Sequence, residues 1–362
     1  MVDRRLLFNM DWVLLGAALA LCAIGVATIH SATYSGHNAG LYLRQLYFVM
    51  IGIGVLAVSL VADYRRLADR SPLLYLLALI LLVAVFFGPT IANTKRWFRL
   101  GPVLVQPSEF VKLVAALFVA KVFSESKKDT LGLFDIALPG LAVGILAVLI
   151  AAEPDLGTAA CLVPLFLAVA FLAGLRLKAI LGLTIVAAML GAAAWVFALQ
   201  DYQKDRVYIF IGAKKDPKGK GYQSDQSKIA VGSGGLTGRG YKQGTQAQLG
   251  YLPARHTDFI FSVLAEEIGF VGVVVVLGLY LLVLWRGLET AHLARDRVGA
   301  FLVVGIMGAL SFQVIYNVAM VAGLVPVKGL PLPFMTYGGS SVLSSLLAIG
   351  LVLNVRMRRF AN

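Results

Sequence analysis

About ten stretches of roughly 20 mostly apolar residues, divided by short connections, constrain this chain more than any other feature. A helix needs about 20 apolar residues to cross the roughly 30 Å hydrocarbon core of a bilayer. Backbone placed in lipid must satisfy its own hydrogen bonds, so spanning segments are helices or closed barrels. The candidate spans are 11–30, 44–63, 71–88, 107–124, 135–152, 156–174, 178–199, 259–286, 299–324 and 338–355. With 59% hydrophobic and 14% charged residues, the chain is too apolar for an ordinary soluble domain. The expected fold is an all-α polytopic membrane protein, a single integral membrane domain over 1–362.

An even number of spans puts both termini on one side. Arg4, Arg5, Arg65, Arg66, Arg70, Lys121, Lys127, Lys128, Arg176, Lys178, Arg286, Arg295, Arg297, Arg356, Arg358 and Arg359 fall on alternate connections. The excess of Lys and Arg in short cytoplasmic loops predicts an N-in, C-in arrangement. Residues 200–258, between spans seven and eight, then form a long extracytoplasmic loop. Its ten Lys and Arg residues do not overturn this, because long loops translocate largely regardless of charge. Arg4 and Arg5 ahead of an apolar core resemble a signal peptide, but nine further spans favour an uncleaved first helix.

The net charge of +13 does not imply nucleic acid, because the cytoplasmic share is dispersed in threes beside helix ends. In the outer loop, ten basic residues face Asp201, Asp205, Asp216, Asp225 and Asp258, an excess of positive charge at the membrane surface. Anionic membrane lipids or an anionic lipid-linked substrate are the natural partners. The glycine run Val231-Gly-Ser-Gly-Gly-Leu-Thr-Gly-Arg-Gly240 has no preceding strand and lacks the Lys-Ser of a phosphate loop, which argues against nucleotide binding. Cys22 and Cys161 lie inside spans and give no metal-ligand or disulfide spacing.

Charge inside an apolar segment is costly, at least about 2.5–3.5 kcal/mol at the bilayer centre, and marks function. Asp258, Glu266 and Glu267 lead into and sit inside span eight. Thr257 and Asp258 read either as a helix cap and first-turn acid or, with Arg255 and His256 beside them, as a reactive cluster. Glu266, eight residues on, would lie near the same face about 12 Å deeper; Glu266 and Glu267 are assigned mainly to buried hydrogen bonding. Span four opens with Gln106-Pro107-Ser108-Glu109, and Lys112 shares a helix face with Glu109. That pair either orders helices or joins Lys95, Arg96, Trp97 and Arg99 in a cationic cluster suited to a pyrophosphate beside a lipid-accessible groove. Asp155 either caps the helix after Pro154 or points into the same cavity. Ser340 and Ser341, after the helix-breaking Pro331, Pro333, Gly338 and Gly339, either cap the last span or donate to substrate.

Four segments in this order resemble the SEDS family (shape, elongation, division and sporulation): Arg96–Lys112, Glu153–Ala159, Leu252–Phe261 and Gly329–Ser341. The stretches 226–235, 244–249 and 264–267 resemble its elongation branch more than its division branch. Glu153 stands where many relatives have Gln, and Thr336 where Ser is common. The resemblance implies a peptidoglycan glycosyltransferase of the inner membrane that polymerises lipid II at the extracytoplasmic face during elongation and rod-shape maintenance. Asp258 would be its general base. Arg96, Trp97, Glu109, Lys112, Asp155, Lys228, His256, Thr257, Ser340 and Ser341 would bind substrate. Magnesium or manganese would suit the pyrophosphate, with no ligands assigned. A class B penicillin-binding protein and other elongation-complex proteins would be partners. A lipid II flippase is the alternative, predicting ionisable groups toward both faces, and a scaffold would leave Asp258 dispensable.

Overall fold

The computed structural model describes residues 9–34, 40–91, 94–101, 103–126, 128, 130–197, 201–211, 213–214 and 219–360. Arg4, Arg5, Lys127 and Asp216 lie outside the described residues. In chain order the helices are α1 (Trp12–Thr33), α2 (Leu41–Val61), α3 (Tyr64–Asp69) and α4 (Ser71–Val85). A hairpin follows, β1 (Phe98–Leu100) against β2 (Val103–Val105), with Phe98 opposite Val105. Then come α5 (Pro107–Glu125), α6 (Ala137–Ala152), α7 (Leu156–Leu172) and α8 (Leu177–Phe197). The long segment after α8 carries α9 (Asp201–Phe210), α10 (Lys220–Ser233) and α11 (Thr245–Gln248), before α12 (Ile260–His292), α13 (Arg297–Val321) and α14 (Gly339–Met357).

Each predicted span overlaps a helix. Among the described residues α1, α2, α12, α13 and α14 are long and apolar enough to cross a membrane, and α4, α6 and α7 are shorter apolar helices. The fold is all-α apart from the small hairpin. Local chemistry sets several starts: Asp11 accepts from Leu14 N at 3.0 Å ahead of α1, and Asp296 from Gly299 N at 2.8 Å ahead of α13. Pro opens the first turn of α4 and α5, where its missing N–H costs nothing. Helix α14 is the central post, buried along nearly its whole length and packed on α2 and α5, while α13 packs on α5, α7 and α12.

One end of the bundle is tied by arginines. Arg286 meets Asp11 at 2.8 Å, Arg356 meets Glu289 at 3.1 Å, and Arg65 meets Asp296 at 2.6 Å. Buried Asn354 donates to the carbonyls of Ser59, Leu60 and Ala62, closing the end of α2 onto α14. Because α12 and α14 run toward this end, their first residues lie at the opposite one.

Helix α12 is broken at Gly269, whose φ of 70° and ψ of −163° interrupt the helical ladder. The glycine run repairs it. Arg239 N donates to Glu266 O and Gly240 N to Glu267 O, both at 3.0 Å. Phe270 N donates to Gly235 O at 2.9 Å and Val271 N to Leu236 O at 3.1 Å. Buried backbone groups freed by the break are thereby satisfied from a second segment. This explains the glycines structurally: a Cβ on Gly234 would lie 2.0 Å from Ala265 O. The two carboxylates also hold this segment. Glu266 Oε1 accepts from Thr245 Oγ1 at 3.0 Å and Gln246 N at 3.1 Å, and Glu267 Oε1 from Ser31 Oγ at 2.5 Å.

Candidate functional site

The four segments singled out in the sequence meet at the end opposite the arginine network. Residues 253–259 form successive turns and α12 begins only at Ile260. Its N-cap is Phe259, without a side-chain capping bond, so Thr257 and Asp258 are not the cap and first turn of this helix. Nor does the i, i+8 face relation to Glu266 hold, since helical geometry starts after Asp258. The turns are instead fastened to the segment before α14. Tyr337 N donates to His256 O at 3.1 Å, Thr336 Oγ1 to Thr257 O at 3.3 Å, and the His256 and Tyr337 rings meet edge-on at 5.8 Å. Asn317 of α13 bridges both, donating to Asp258 O at 3.2 Å and Leu330 O at 2.9 Å.

The half-buried Asp258 carboxylate faces Gly329, where a Cβ would lie 3.5 Å from its Oδ2. Next along the same segment, Gly329 and Leu330 lie against Gly157 at the start of α7. Asp155 caps that helix, accepting from Thr158 N at 3.1 Å and Thr158 Oγ1 at 2.9 Å. The capping reading is thus correct. The other carboxylate oxygen, Oδ2, also accepts from Gln106 Nε2 at 2.7 Å and lies 4.0 Å from Arg96 Nη1. Gln106 continues the chain of contacts through its backbone N–H, which donates to Ser340 Oγ at 2.8 Å. Ser340 does not cap α14; its N-cap is Gly338, and Ser340 Oγ donates to Leu104 O of the hairpin at 3.4 Å. Ser341 is buried beside it.

Arg96 stacks over Trp97 at 4.9 Å, which orients its guanidinium toward Asp155. Lys112 is turned inward, paired with Glu109 at 2.8 Å, and Ser344 donates to the same carboxylate oxygen at 3.1 Å. The space beside this pair is about 20 Å³, room for one water molecule. The lateral groove is on the other face of α5: Leu74, Leu77, Leu81, Phe98, Phe110 and Val114 line an apolar cleft of about 520 Å³ between α4, the hairpin and α5. Glu109 and Lys112 do not line this cleft, whose α5 side is formed by Phe110 and Val114. Lys228 stands apart on α10, its ammonium 2.8 Å from Asp225 and its stem over Gly323.

Burial and the neighbouring Arg255 hold the His256 imidazole below its ordinary pKa, so it is neutral at pH 7 and offers one donor and one acceptor. Burial lifts the Asp155 carboxyl, against the pull of Arg96 and Thr158. Among the described residues no group of three or more His, Cys, Asp or Glu side chains is placed to hold a metal ion. Gln106, Asn317 and Gln45 are the site residues not singled out from sequence. Gln45 joins α2 to the 336–338 segment, donating to Thr336 O and accepting from Gly338 N, both at 3.1 Å. For Gln45 and Asn317 the available signal was an amide inside an otherwise apolar helix.

Glu153 is fully buried, and both its oxygens lack partners. Burial and the nearby Asp155 push its carboxyl from 4.5 up to about 8, so it is protonated in the folded protein at neutral pH. The unfolded chain releases that proton above its ordinary pKa, so the folded state binds more protons between the two values. Stability is then full below about pH 4.5 and falls by up to about 1.4 kcal/mol per pH unit as pH rises toward 8. Glu153→Gln is expected to melt higher than wild type by a margin that widens from pH 5.5 to 8.5 in detergent micelles. A gap independent of pH would mean the carboxyl is ionised as folded.

Residues 6–360 match the family model of FtsW, RodA and SpoVE, described as a cell cycle protein. The peptidoglycan glycosyltransferase MrdB of Escherichia coli K12 is 39% identical over 358 residues, covering 97% of this chain and 94% of that protein. The crystal structure of the rod shape determining protein RodA of Thermus thermophilus superposes with a TM-score of 0.73 at 31% identity, covering 98% of each chain. A chain from a peptidoglycan synthase complex that coordinates polymerization and crosslinking gives 0.84 at 34% identity, covering 98% of this chain and 99% of that one. With this extent of agreement in sequence and in helix arrangement, the chain belongs to the FtsW, RodA and SpoVE family.

Proposed function

We propose that this chain is a peptidoglycan glycosyltransferase that polymerises lipid II at the extracytoplasmic face of the inner membrane, in a ten-span N-in, C-in arrangement. The observation that carries the reading is the convergence of Asp258, Asp155, Arg96 and Ser340 at the end of the bundle opposite the arginine network. Asp258 takes the proton of the acceptor GlcNAc 4-hydroxyl as its oxygen bonds to the anomeric carbon of the donor MurNAc. The bond to undecaprenyl pyrophosphate breaks, the anomeric configuration inverts, and the electron pair leaves on the pyrophosphate. Arg96 stabilises that developing charge. Lys112, neutralised by Glu109, positions α5 against α14 instead.

The polyprenyl tail occupies the cleft between α4 and α5, whose upper rim is the hairpin that also touches Ser340. Leu77→Trp, which fills the cleft, is expected to raise KM about tenfold for lipid II, the loss of one or two buried methylenes of tail, and to spare a short-chain analogue. Equal KM on both substrates would move the tail elsewhere. A lipid II flippase is the alternative, and lipid II translocation in the reconstituted system separates the two.

The test is polymerisation of labelled lipid II by the purified chain co-reconstituted with its class B penicillin-binding protein, the partner's transpeptidase being blocked. Long glycan is the expected product. No glycan, with lipid II crossing the bilayer, would replace this reading by the flippase.

A further inference from the structure

We propose that the arginine-rich end of the bundle carries a binding site for one anionic phospholipid, in the cleft between the end of α7, the end of α12 and the start of α13. The cleft measures about 440 Å³. Leu172, Leu288, Phe301 and Val304 form its apolar walls, and His292 and Arg297 stand at its mouth. Leu172 and Leu288 are exposed, so the walls open sideways toward the acyl chains of a surrounding bilayer. The two helix ends, at His292 and Arg297, set the mouth at the depth of the headgroups.

Arg297 is the arginine that lines this cleft, and, like Arg295 and Arg70 at the same end, it has no carboxylate paired with it among the described residues. Arg65, Arg286, Arg356 and Arg358 are each paired with a carboxylate: Asp296, Asp11, Glu289 and Asp63 respectively. The described contact of Arg297 is a hydrogen bond to the carbonyl of Ser126 at 3.1 Å, an acceptor that carries no formal charge. Asp296, the adjacent acid, is already held by Tyr64 at 2.8 Å, by Arg65 and by the start of α13. A cation with no carboxylate paired to it among the described residues, at the mouth of an apolar cleft that faces lipid, complements a phosphodiester carrying two acyl chains. The proposal does not depend on the catalytic reading, since it involves the other end of the molecule.

The test is native mass spectrometry of the full chain in non-ionic detergent, titrated with dioleoylphosphatidylglycerol or dioleoylphosphatidylcholine. Wild type is expected to retain one phosphatidylglycerol in preference to phosphatidylcholine. Arg297→Gln should weaken that retention about fivefold or more, while Arg70→Gln, at the same end but away from the cleft, should not. Leu288→Trp fills the cleft and leaves the arginine in place, and it should weaken retention as well. Equal retention by wild type and both cleft variants, equal uptake of phosphatidylcholine, or displacement of the lipid by inorganic phosphate would each overturn the proposal.

Discussion

Asp258→Asn is expected to reduce lipid II polymerisation by about 10²–10⁴-fold, the usual contribution of a positioned general base, while leaving the fold and partner binding intact. The side chain is half-buried in a run of turns, and its backbone carbonyl, which accepts from Asn317, is unaffected by the change. Asparagine has nearly the same shape and keeps hydrogen-bonding capacity, so it removes the carboxylate while disturbing little else. The pH profile supplies a second readout. In wild type the acidic limb of kcat/KM should report a carboxylate that must be ionised, and in the variant residual activity should lose that limb. Glycan of equal length and rate from a folded Asp258→Asn would remove this residue from the mechanism.

Gly238→Ala is expected to prevent folding or to destabilise by more than about 4 kcal/mol, beyond the ordinary range for a single substitution. At Gly238 φ is +82°, and a Cβ would lie 2.1 Å from Glu267 O and 2.4 Å from its carbonyl carbon. Those are backbone atoms of the broken helix, so no side chain can swing away to relieve the overlap. Relief would require the loop to lift from α12, breaking the four backbone bonds that bridge the interruption. Gly269→Ala should behave the same way, with φ of +70° and a Cβ 2.2 Å from Gly238 N. The internal contrast is Gly232, which lies inside α10 with nothing within 4 Å of its Cβ position. Gly232→Ala should be neutral or stabilise by about 0.5–1 kcal/mol through helix propensity. Folded yield and melting temperature of the three variants decide it; equal behaviour would mean that the glycines are interchangeable spacers.

Span positions were readable because lipid imposes a simple rule on length and apolarity, and each predicted segment overlaps a helix. Asp155 was readable as a cap because a short polar side chain after Pro154 has a local partner in Thr158. Its second role was not, because Gln106 and Arg96 approach it from another part of the chain. For Lys112 the sequence leaves two roles open, a helix-ordering pair with Glu109 or a cation facing substrate. The lysine is one turn from Glu109, and the packing of Ser344 from α14 decides that the pair closes on itself. The hairpin was missed because three-residue strands leave too little alternation to recognise.

By itself the sequence determined that the chain is a helical membrane protein with its acids and glycines gathered in a few segments, because hydrophobic length and intramembrane charge act locally. The tertiary structure decided which of those residues meet. Contacts among Asp258, Gly329, Gly157, Asp155, Gln106 and Ser340 join residues from four chain segments, and each depends on helices that lie far apart in sequence packing side by side. The break in α12 follows the same logic: the unpaired backbone at Gly269 is tolerated because a glycine run from outside the helix completes its hydrogen bonds.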